Sequence, residues 1–317
     1  MKRIIIITQG LSRIVKPLYD SSVCDIVGIV ECVSRGKLKS NNIIFSVLSK
    51  IYHISFSSVN ITLEYFAKKH RIPYFYMTSS SCELESWVKS LSPDLIVVYS
   101  MSQLLKENIY SIPRFGTINL HPSYLPEYRG PNPIFWMYYN MEKQGGVTVH
   151  YIDQGEDTGN IILQKRYDIP LGMKSPDNFD IAIKKVGIEL LLETIENIES
   201  VKSQEQPLCS PTKRARNLRI EEHKYIIDWQ QWPIERVWHI LRGTELWLNA
   251  LPQPSGIYRG GRWIIGNYEK KRLNNRWKLG KIYHENGNSF IVCKDGVIYV
   301  KCKFSLKNII KYLFNDV

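Results

Sequence analysis

An open, mostly parallel α/β sheet followed by a small β-rich domain is the fold class this sequence predicts. Three observations carry it. Apolar, β-branched runs at Ile4–Ile7, Asp25–Glu31 and Leu95–Ser100 alternate with helical segments, the pattern of strands buried on both faces between crossover helices. The polar stretch from Lys202 to Arg216, with Pro207 and Pro211, has the composition of a linker. Beyond it, short strand-like runs separated by Gly or Asn turns suit a small antiparallel barrel of the OB type. The 317 residues are enough for two domains, 1–204 and 205–317.

Lys2-Arg3 leads four isoleucines into Thr8-Gln9-Gly10, a first strand that ends in a Gly turn; Leu11 to Tyr19 is the helix after it. The GxGxxG spacing of a dinucleotide fingerprint is absent. Asp25 to Glu31 is the second strand. The basic loop Ser34–Lys39 that follows reads either as a solvated turn or as a phosphate or RNA contact. Ile43 to Tyr52 is assigned to a helix, in a stretch irregular enough to be an insertion. Asn60 to His70 is a clearer helix, Ile72 to Tyr76 a short strand, Glu83 to Ser90 a helix, and Leu95 to Ser100 the third parallel strand. Ligands of open α/β sheets bind at the carboxyl ends of the strands, which singles out Tyr99-Ser100-Met101-Ser102. Ile161 to Ile169 is a further strand. Ser175 to Ile198 is a long helix capped near Ser175-Pro176-Asp177. In the second domain a helix spans Pro233 to Arg242. Strands are expected over Gly256–Tyr268, Trp277–Glu285, Ser289–Cys293 and Val297–Lys303.

The net charge of +12 permits an anionic partner, but the basic residues are scattered. Six cysteines lie far apart with no CxxC and no metal spacing, which fits reduced thiols in the cytoplasm. The Ile4–Ile7 run is too short for a signal peptide or a membrane span, so no membrane role is expected.

Chemistry concentrates between Thr117 and Asp157. Thr117 to His121 reads as a strand, and on a strand Asn119 and His121 project from the same face. Pro122, Pro126, Gly130, Pro131 and Pro133 make the next stretch a stiff loop. Gly146 to Ile152 is strand-like again and ends in a turn bearing Asp157. A histidine can take a proton near neutral pH, a carboxylate can fix its tautomer, and an amide can donate to a developing oxyanion. Ser123 is the one nucleophile candidate nearby, so the simplest arrangement has the substrate bring the nucleophile, as an amine attacking an acyl donor does. The same spacing also fits an N-cap asparagine, a core histidine and a turn aspartate. His150, on the second strand, reads as a core or supporting residue. Phe135, Trp136, Tyr138 and Tyr139 read as the core face of a helix.

Ile118-Asn119-Leu120-His121-Pro122-Ser123, Leu125-Pro126, Tyr128-Arg129-Gly130 and Asp157-Thr158-Gly159 together resemble the signature of the 10-formyltetrahydrofolate-dependent formyltransferases. The resemblance covers roughly the first two thirds of the chain. It implies a Rossmann-like catalytic domain and a folate co-substrate, with no metal. It makes Asn119, His121 and Asp157 the catalytic residues. It also implies a pterin pocket lined by Tyr99, Ser100, Met101 and Ser102, with Asp153 and Gly155 as further folate contacts. Substrate contacts are expected from Tyr128, Arg129, Gly130 and Asn132, although Arg129 is equally suited to pinning its own loop. The C-terminal half is similar to that of methionyl-tRNA formyltransferase.

The acceptor is harder to read. Tyr128-Arg129-Gly130-Pro131-Asn132-Pro133 is similar to the sugar N-formyltransferases, and the Glu127 carboxylate would repel a tRNA backbone. These two features favour a nucleotide-linked amino sugar, such as a dTDP- or UDP-4-amino-4,6-dideoxyhexose destined for surface polysaccharide. Methionyl-tRNA is the alternative, supported by the charge, the Ser34–Lys39 loop and the C-terminal domain. An RNA-binding module that keeps the formyltransferase shape is a third reading. Aromatic residues in the second domain are compatible with a homodimer.

Overall fold

The computed structural model of the chain describes residues 1–32, 62–77, 81–245 and 247–302. The Ser34–Lys39 loop and the helix expected over Ile43–Tyr52 lie outside the described residues. The chain forms two compact units. The first holds Met1–Pro131, Gly146–Tyr167 and Ile181–Arg214; the second holds Asn132–Gly145, Asp168–Asp180 and the chain from Ala215 onward. This differs from a cut between 204 and 205 in two ways. The stretch 205–214 stays with the first unit, and two short earlier segments join the second.

Strand β1 (Lys2–Thr8) lies near the middle of a seven-stranded sheet. Ile4 to Ile7 are fully buried, as a strand covered on both faces requires. Its parallel neighbours are β2 (Cys24–Cys32) and β4 (Leu95–Tyr99). Beyond β2 lies β3 (Tyr74–Met77), and beyond β4 lie β5 (Thr117–His121), β6 (Gln144–Tyr151) and β7 (Ile161–Asp168), giving the order 3-2-1-4-5-6-7. The order reverses between β1 and β4, so the carboxyl ends there open a crevice. The β4–β5 pair is parallel, whereas β5 and β6 run antiparallel.

Helix α1 is Val15–Asp20, not Leu11–Tyr19. Pro17 explains the late start: proline lacks an N–H and is tolerated only in a first turn. Helix α2 (Leu63–Lys69) begins where Thr62 Oγ1 accepts the Tyr65 N–H at 3.1 Å. Helix α3 (Ser81–Leu91) packs on β2 at Gly28, where a Cβ would lie 2.7 Å from both Leu91 Cδ1 and Trp87 Cη2. Gly28→Val should therefore cost about 1–3 kcal/mol by overpacking. A urea midpoint equal to that of the parent chain would contradict this packing.

A one-turn helix α4 (Glu107–Tyr110), not foreseen in the sequence, precedes β5. The long helix expected over Ser175–Ile198 has three parts: α6 (Ser175–Phe179), a π-helical stretch Asp180–Gly187, and α7 (Ile188–Asn197). Its N-cap is Lys174, with Pro176 in the first turn, and no side chain caps it.

In the second unit, α5 (Pro133–Tyr139) buries Phe135 and Tyr138, and half-buries Trp136 and Tyr139. Helix α8 (Ile234–Gly243) lies against an antiparallel sheet in the order β8 (Trp263–Lys270), β11 (Gly296–Cys302), β10 (Asn288–Cys293), β9 (Ile282–Glu285). Period-two alternation sorts β10: Ile291 and Cys293 join the core under α8, while Phe290 and Val292 pack with Trp277 and Tyr283 on the other face. Gly256–Tyr258 is a helical turn, so the first strand starts later than expected, at Trp263. Among the described residues no helix is long and apolar enough to cross a membrane.

Candidate active site

The carboxyl end of β5 carries the site. Strand alternation puts Asn119 and His121 on one face, and the antiparallel register sets His150 opposite Asn119 and Thr148 opposite His121. Parallel pairing sets Val98 beside Asn119, which brings the end of β4 alongside. The fourth component is the turn after β6. Asp157 sits there in the left-handed region at φ 54°, conformationally costly for a residue with a Cβ, by roughly 1–2 kcal/mol. Ser100 (φ 59°) and Tyr128 (φ 57°) share that backbone conformation. Three such residues around one crevice mark it as a functional location.

Asn119, His121, His150 and Asp157 form one cluster. Asn119 Nδ2 donates to Asp157 Oδ1 at 3.3 Å and lies 3.1 Å from His150 Nε2. His150 Nδ1 is 2.8 Å from the Tyr151 carbonyl, which needs a donor, so His150 carries its proton on Nδ1 and accepts from Asn119 at Nε2. The same logic fixes the Asn119 amide: turned over, its oxygen would face a carboxylate. His121 Nε2 donates to the Tyr128 carbonyl at 3.1 Å, which leaves the Nδ1 lone pair 3.5 Å from Asp157 Oδ2. Asp157 Oδ2 also accepts the Gly130 N–H at 2.9 Å.

Burial pulls the His121 pKa below its ordinary value, against the opposing pull of Asp157. Burial alone would raise the Asp157 pKa, but the two imidazoles and the Gly130 N–H outweigh it and hold the carboxyl well below the usual carboxylate range. The site therefore pairs an ionised carboxylate with a neutral imidazole whose free lone pair faces it. Among the described residues no three His, Cys, Asp or Glu side chains converge as metal ligands.

The loop after β5 is rigid by design of its contacts. Thr148 Oγ1 donates to the Ser123 carbonyl at 2.7 Å and accepts the Leu125 N–H at 3.1 Å. Ser123 itself is buried and donates to the Glu127 carbonyl at 2.6 Å, which does not suit a nucleophile. A Cβ on Gly159 would lie 2.0 Å from the Tyr151 carbonyl oxygen, so only glycine lets the Asp157 turn close on β6. Gly159→Ala is expected to lose about tenfold or more in activity through displacement of that turn, a scale typical of misplaced catalytic geometry. Unchanged kcat in that variant would show that the turn has room to spare.

Other expected contacts fare unevenly. Tyr99 is buried, and burial pushes its hydroxyl up to about 12, while Ser100 is exposed at the crevice. Met101 packs, partly buried, against the core cluster that includes Leu105, and Ser102 is half-buried. Asp153 was expected at the folate, but its Oδ1 is occupied by the Gly155 N–H at 2.9 Å and Thr158 Oγ1 at 2.7 Å, so it shapes its own turn. Gly155 is required there, since a Cβ would meet Thr158 Oγ1 at 2.0 Å. Tyr128 is buried, and Gly130 serves Asp157 through its N–H. Arg129, expected at the substrate, is instead spent on its own loop. Its guanidinium donates to Gln206 Oε1 at 2.8 and 3.2 Å and to the carbonyls of Pro207 and Leu208. Asn132 opens the second unit as the N-cap of α5, its N–H donating to the Ala215 carbonyl at 2.8 Å. Glu127 forms an ion pair with Arg166 at 3.1 Å.

Two residues hold larger parts than the sequence suggests. His150 reads there as core or support, and its bond to Asn119 follows from a strand register that single-strand periodicity does not reveal. Gln206 lies in a stretch of linker composition, yet Arg129 and the Asp157 turn both bond to it.

Comparison with known proteins gives the chain a class. Residues 32–195 match the Formyl transferase family. The chain is 31% identical over 236 residues to the methionyl-tRNA formyltransferase of Clostridium beijerinckii, 74% of either chain. It is 37% identical over 163 residues to that of Thermodesulfovibrio yellowstonii, 50% of this chain and 51% of the relative. Among solved structures, WlaRD, a sugar 3N-formyl transferase crystallised with dTDP and 5-N-formyl-THF, superposes with a TM-score of 0.59 at 18% identity. That match covers 96% of this chain and 99% of WlaRD. HypX from Aquifex aeolicus, in complex with tetrahydrofolic acid, gives a TM-score of 0.58 at 16% identity, over 94% of this chain and 43% of its own. The two structures speak for the fold. The chain belongs to the formyl transferase family. It is a formyltransferase.

Proposed function

We propose that this formyltransferase places the formyl group of 10-formyltetrahydrofolate on the α-amine of methionyl-tRNA in the cytoplasm. The observation that carries the acceptor is the 31% identity kept over 236 residues with an enzyme of that name. The main objection drawn from the sequence, repulsion by Glu127, is weakened because Arg166 neutralises that carboxylate.

The donor set fits a formyl group: an amide that can donate, a neutral base, and a fixed carboxylate. 10-Formyltetrahydrofolate supplies an acyl carbon open to attack by an amine. Asn119 Nδ2 turns a hydrogen toward the formyl oxygen as it becomes negative, giving up the longer of its two bonds, the 3.3 Å one to Asp157. His121 takes the amine proton at Nδ1, and its cationic form then finds an oxygen at each nitrogen, Asp157 Oδ2 and the Tyr128 carbonyl. Asp157 steadies that cation. His150 holds the Asn119 amide in place. The amine nitrogen bonds to the formyl carbon, the carbon–nitrogen bond to the folate then breaks, and the proton taken up by His121 passes to the departing folate nitrogen.

A second reading keeps the same chemistry with a nucleotide-linked amino sugar as acceptor. The Tyr128-Arg129-Gly130-Pro131-Asn132-Pro133 loop favours it. One competition assay separates the two: labelled 10-formyltetrahydrofolate, enzyme, and equal concentrations of methionyl-tRNA and dTDP- or UDP-linked 4-amino-4,6-dideoxyhexoses at low salt. The label is expected on methionyl-tRNA. Label on a sugar nucleotide instead would move the assignment to the second reading.

A further inference from the structure

The stretch after α7 has the composition of a connector, yet it behaves as part of the site. Gln204 bridges Ile161 in antiparallel fashion. Ser210 Oγ donates to the Pro126 carbonyl at 2.6 Å, and Thr212 Oγ1 accepts the Tyr128 N–H at 2.6 Å. Arg214 pairs with Glu156 through two bonds of 2.5 and 2.8 Å. The last three contacts tie one strap to both loops that carry the chemistry.

Gln206 is where the strap joins the two loops. Its Oε1 accepts from Arg129 Nε at 3.2 Å and Nη2 at 2.8 Å, and its Nε2 donates to the carbonyls of Asp157 at 3.1 Å and Gly159 at 2.6 Å. The orientation of the amide is thereby determined, because turning it over would set oxygen against two carbonyls and NH₂ against a guanidinium. The bonds close into a ring. Asp157 Oδ2 accepts the N–H of Gly130, the residue after Arg129; Arg129 holds Gln206; Gln206 holds the Asp157 carbonyl. A turn residue kept at positive φ needs such outside restraint to hold one geometry.

We propose that Gln206 is a positioning residue for the formyl transfer: it acts through Asp157, setting the turn so that the carboxylate meets His121 and Gly130 at once. The proposal rests on the role given to Asp157 above. The titratable and charged groups facing His121 are Asp157, His150 and Glu156, and Arg214 stands on the Asp157 side. Loosening the Asp157 turn therefore removes the chief influence that raises the His121 pKa, and the acid limb of the rate profile moves to lower pH.

The test is a double-mutant cycle on the full chain, using the acceptor that the competition assay selects. Gln206→Met keeps length and packing and removes all four bonds. Gln206→Glu keeps the acceptors for Arg129 but sets an oxygen against the Asp157 and Gly159 carbonyls. Both should lower kcat by about 10- to 100-fold with KM for the folate within about threefold. The acid limb should move down. In an Asp157→Asn background, Gln206→Met should add less than about twofold. Three results would overturn the proposal: near-normal kcat in either variant, an unmoved acid limb, or a full additional loss in the Asp157→Asn background. If Asp157→Asn itself retains activity, the catalytic reading of the site fails first and takes this one with it. A normal Gln206→Met beside a crippled Asp157→Asn overturns only the role of Gln206.

Discussion

Replacing His121 by asparagine should lower kcat by about 10³-fold while KM for the folate stays within about threefold, because a general base acts in the transition state and contributes 10²- to 10⁴-fold. The expectation follows from geometry. Nε2 is committed to the Tyr128 carbonyl, so Nδ1 is the only lone pair the ring can offer, and Asp157 waits 3.5 Å away to stabilise the charge. Asparagine could still donate to Tyr128 and keep the loop, but it offers no basic nitrogen. The pH profile carries an independent sign. Burial lowers the His121 pKa, so the base stays neutral below its ordinary pKa of about 6.5, and the acid limb of kcat/KM should fall below that value. A steady-state comparison of the two proteins across pH checks both statements. Near-normal turnover in His121→Asn would remove the base from the mechanism.

Asp157→Asn is the second large effect, again about 10³-fold in kcat, on the scale of general acid–base contributions. Isosteric as it is, the amide cannot satisfy this site. Oδ1 receives an N–H from Asn119 and Oδ2 one from Gly130. An amide has one oxygen, so its NH₂ must point at one of those two donors. With NH₂ in the Oδ2 position it would also cap the His121 lone pair. The charge that stabilises protonated His121 is lost as well, so the acid limb should move further to lower pH in whatever activity remains. Circular dichroism should show a folded chain. A folded variant with more than about a tenth of parent kcat would contradict a contribution of this size.

Much of this could be read in the sequence, for reasons that can be located. Ile4 to Ile7 and Leu95 to Tyr99 are buried on both faces, and continuous apolar runs signal that directly. Asn119 and His121 share a face because strand periodicity is two, whatever the partner strand does. His150 was harder, because its position opposite Asn119 depends on the register of β6 against β5, a relation between two segments. Helix α1 begins only at Val15 because Pro17 belongs in a first turn, a local signal present in the sequence. The strap lies within Lys202–Arg216, whose Ser, Thr, Gln and Pro suit a solvated connector and a hydrogen-bonded one equally. Only its partners, Pro126, Tyr128, Arg129 and Asp157, distinguish the two. Arg129 likewise offers five donors to a phosphate or to a loop, and the carbonyls of Pro207 and Leu208, brought close by the fold, decide between them.

Formyl transfer on the Asn119–His121–Asp157 cluster at the carboxyl end of β5 has a direct structural consequence. In a crystal structure of the protein with 5-formyltetrahydrofolate, the pterin should lie in the crevice beside Tyr99–Ser102, with the formyl oxygen about 3 Å from Asn119 Nδ2, within hydrogen-bond reach. The Asn119–Asp157 bond should lengthen in that complex while the Asn119–His150 contact persists. A folate bound with its formyl group away from Asn119 and His121, and the cluster unchanged from its present geometry, would contradict the claim.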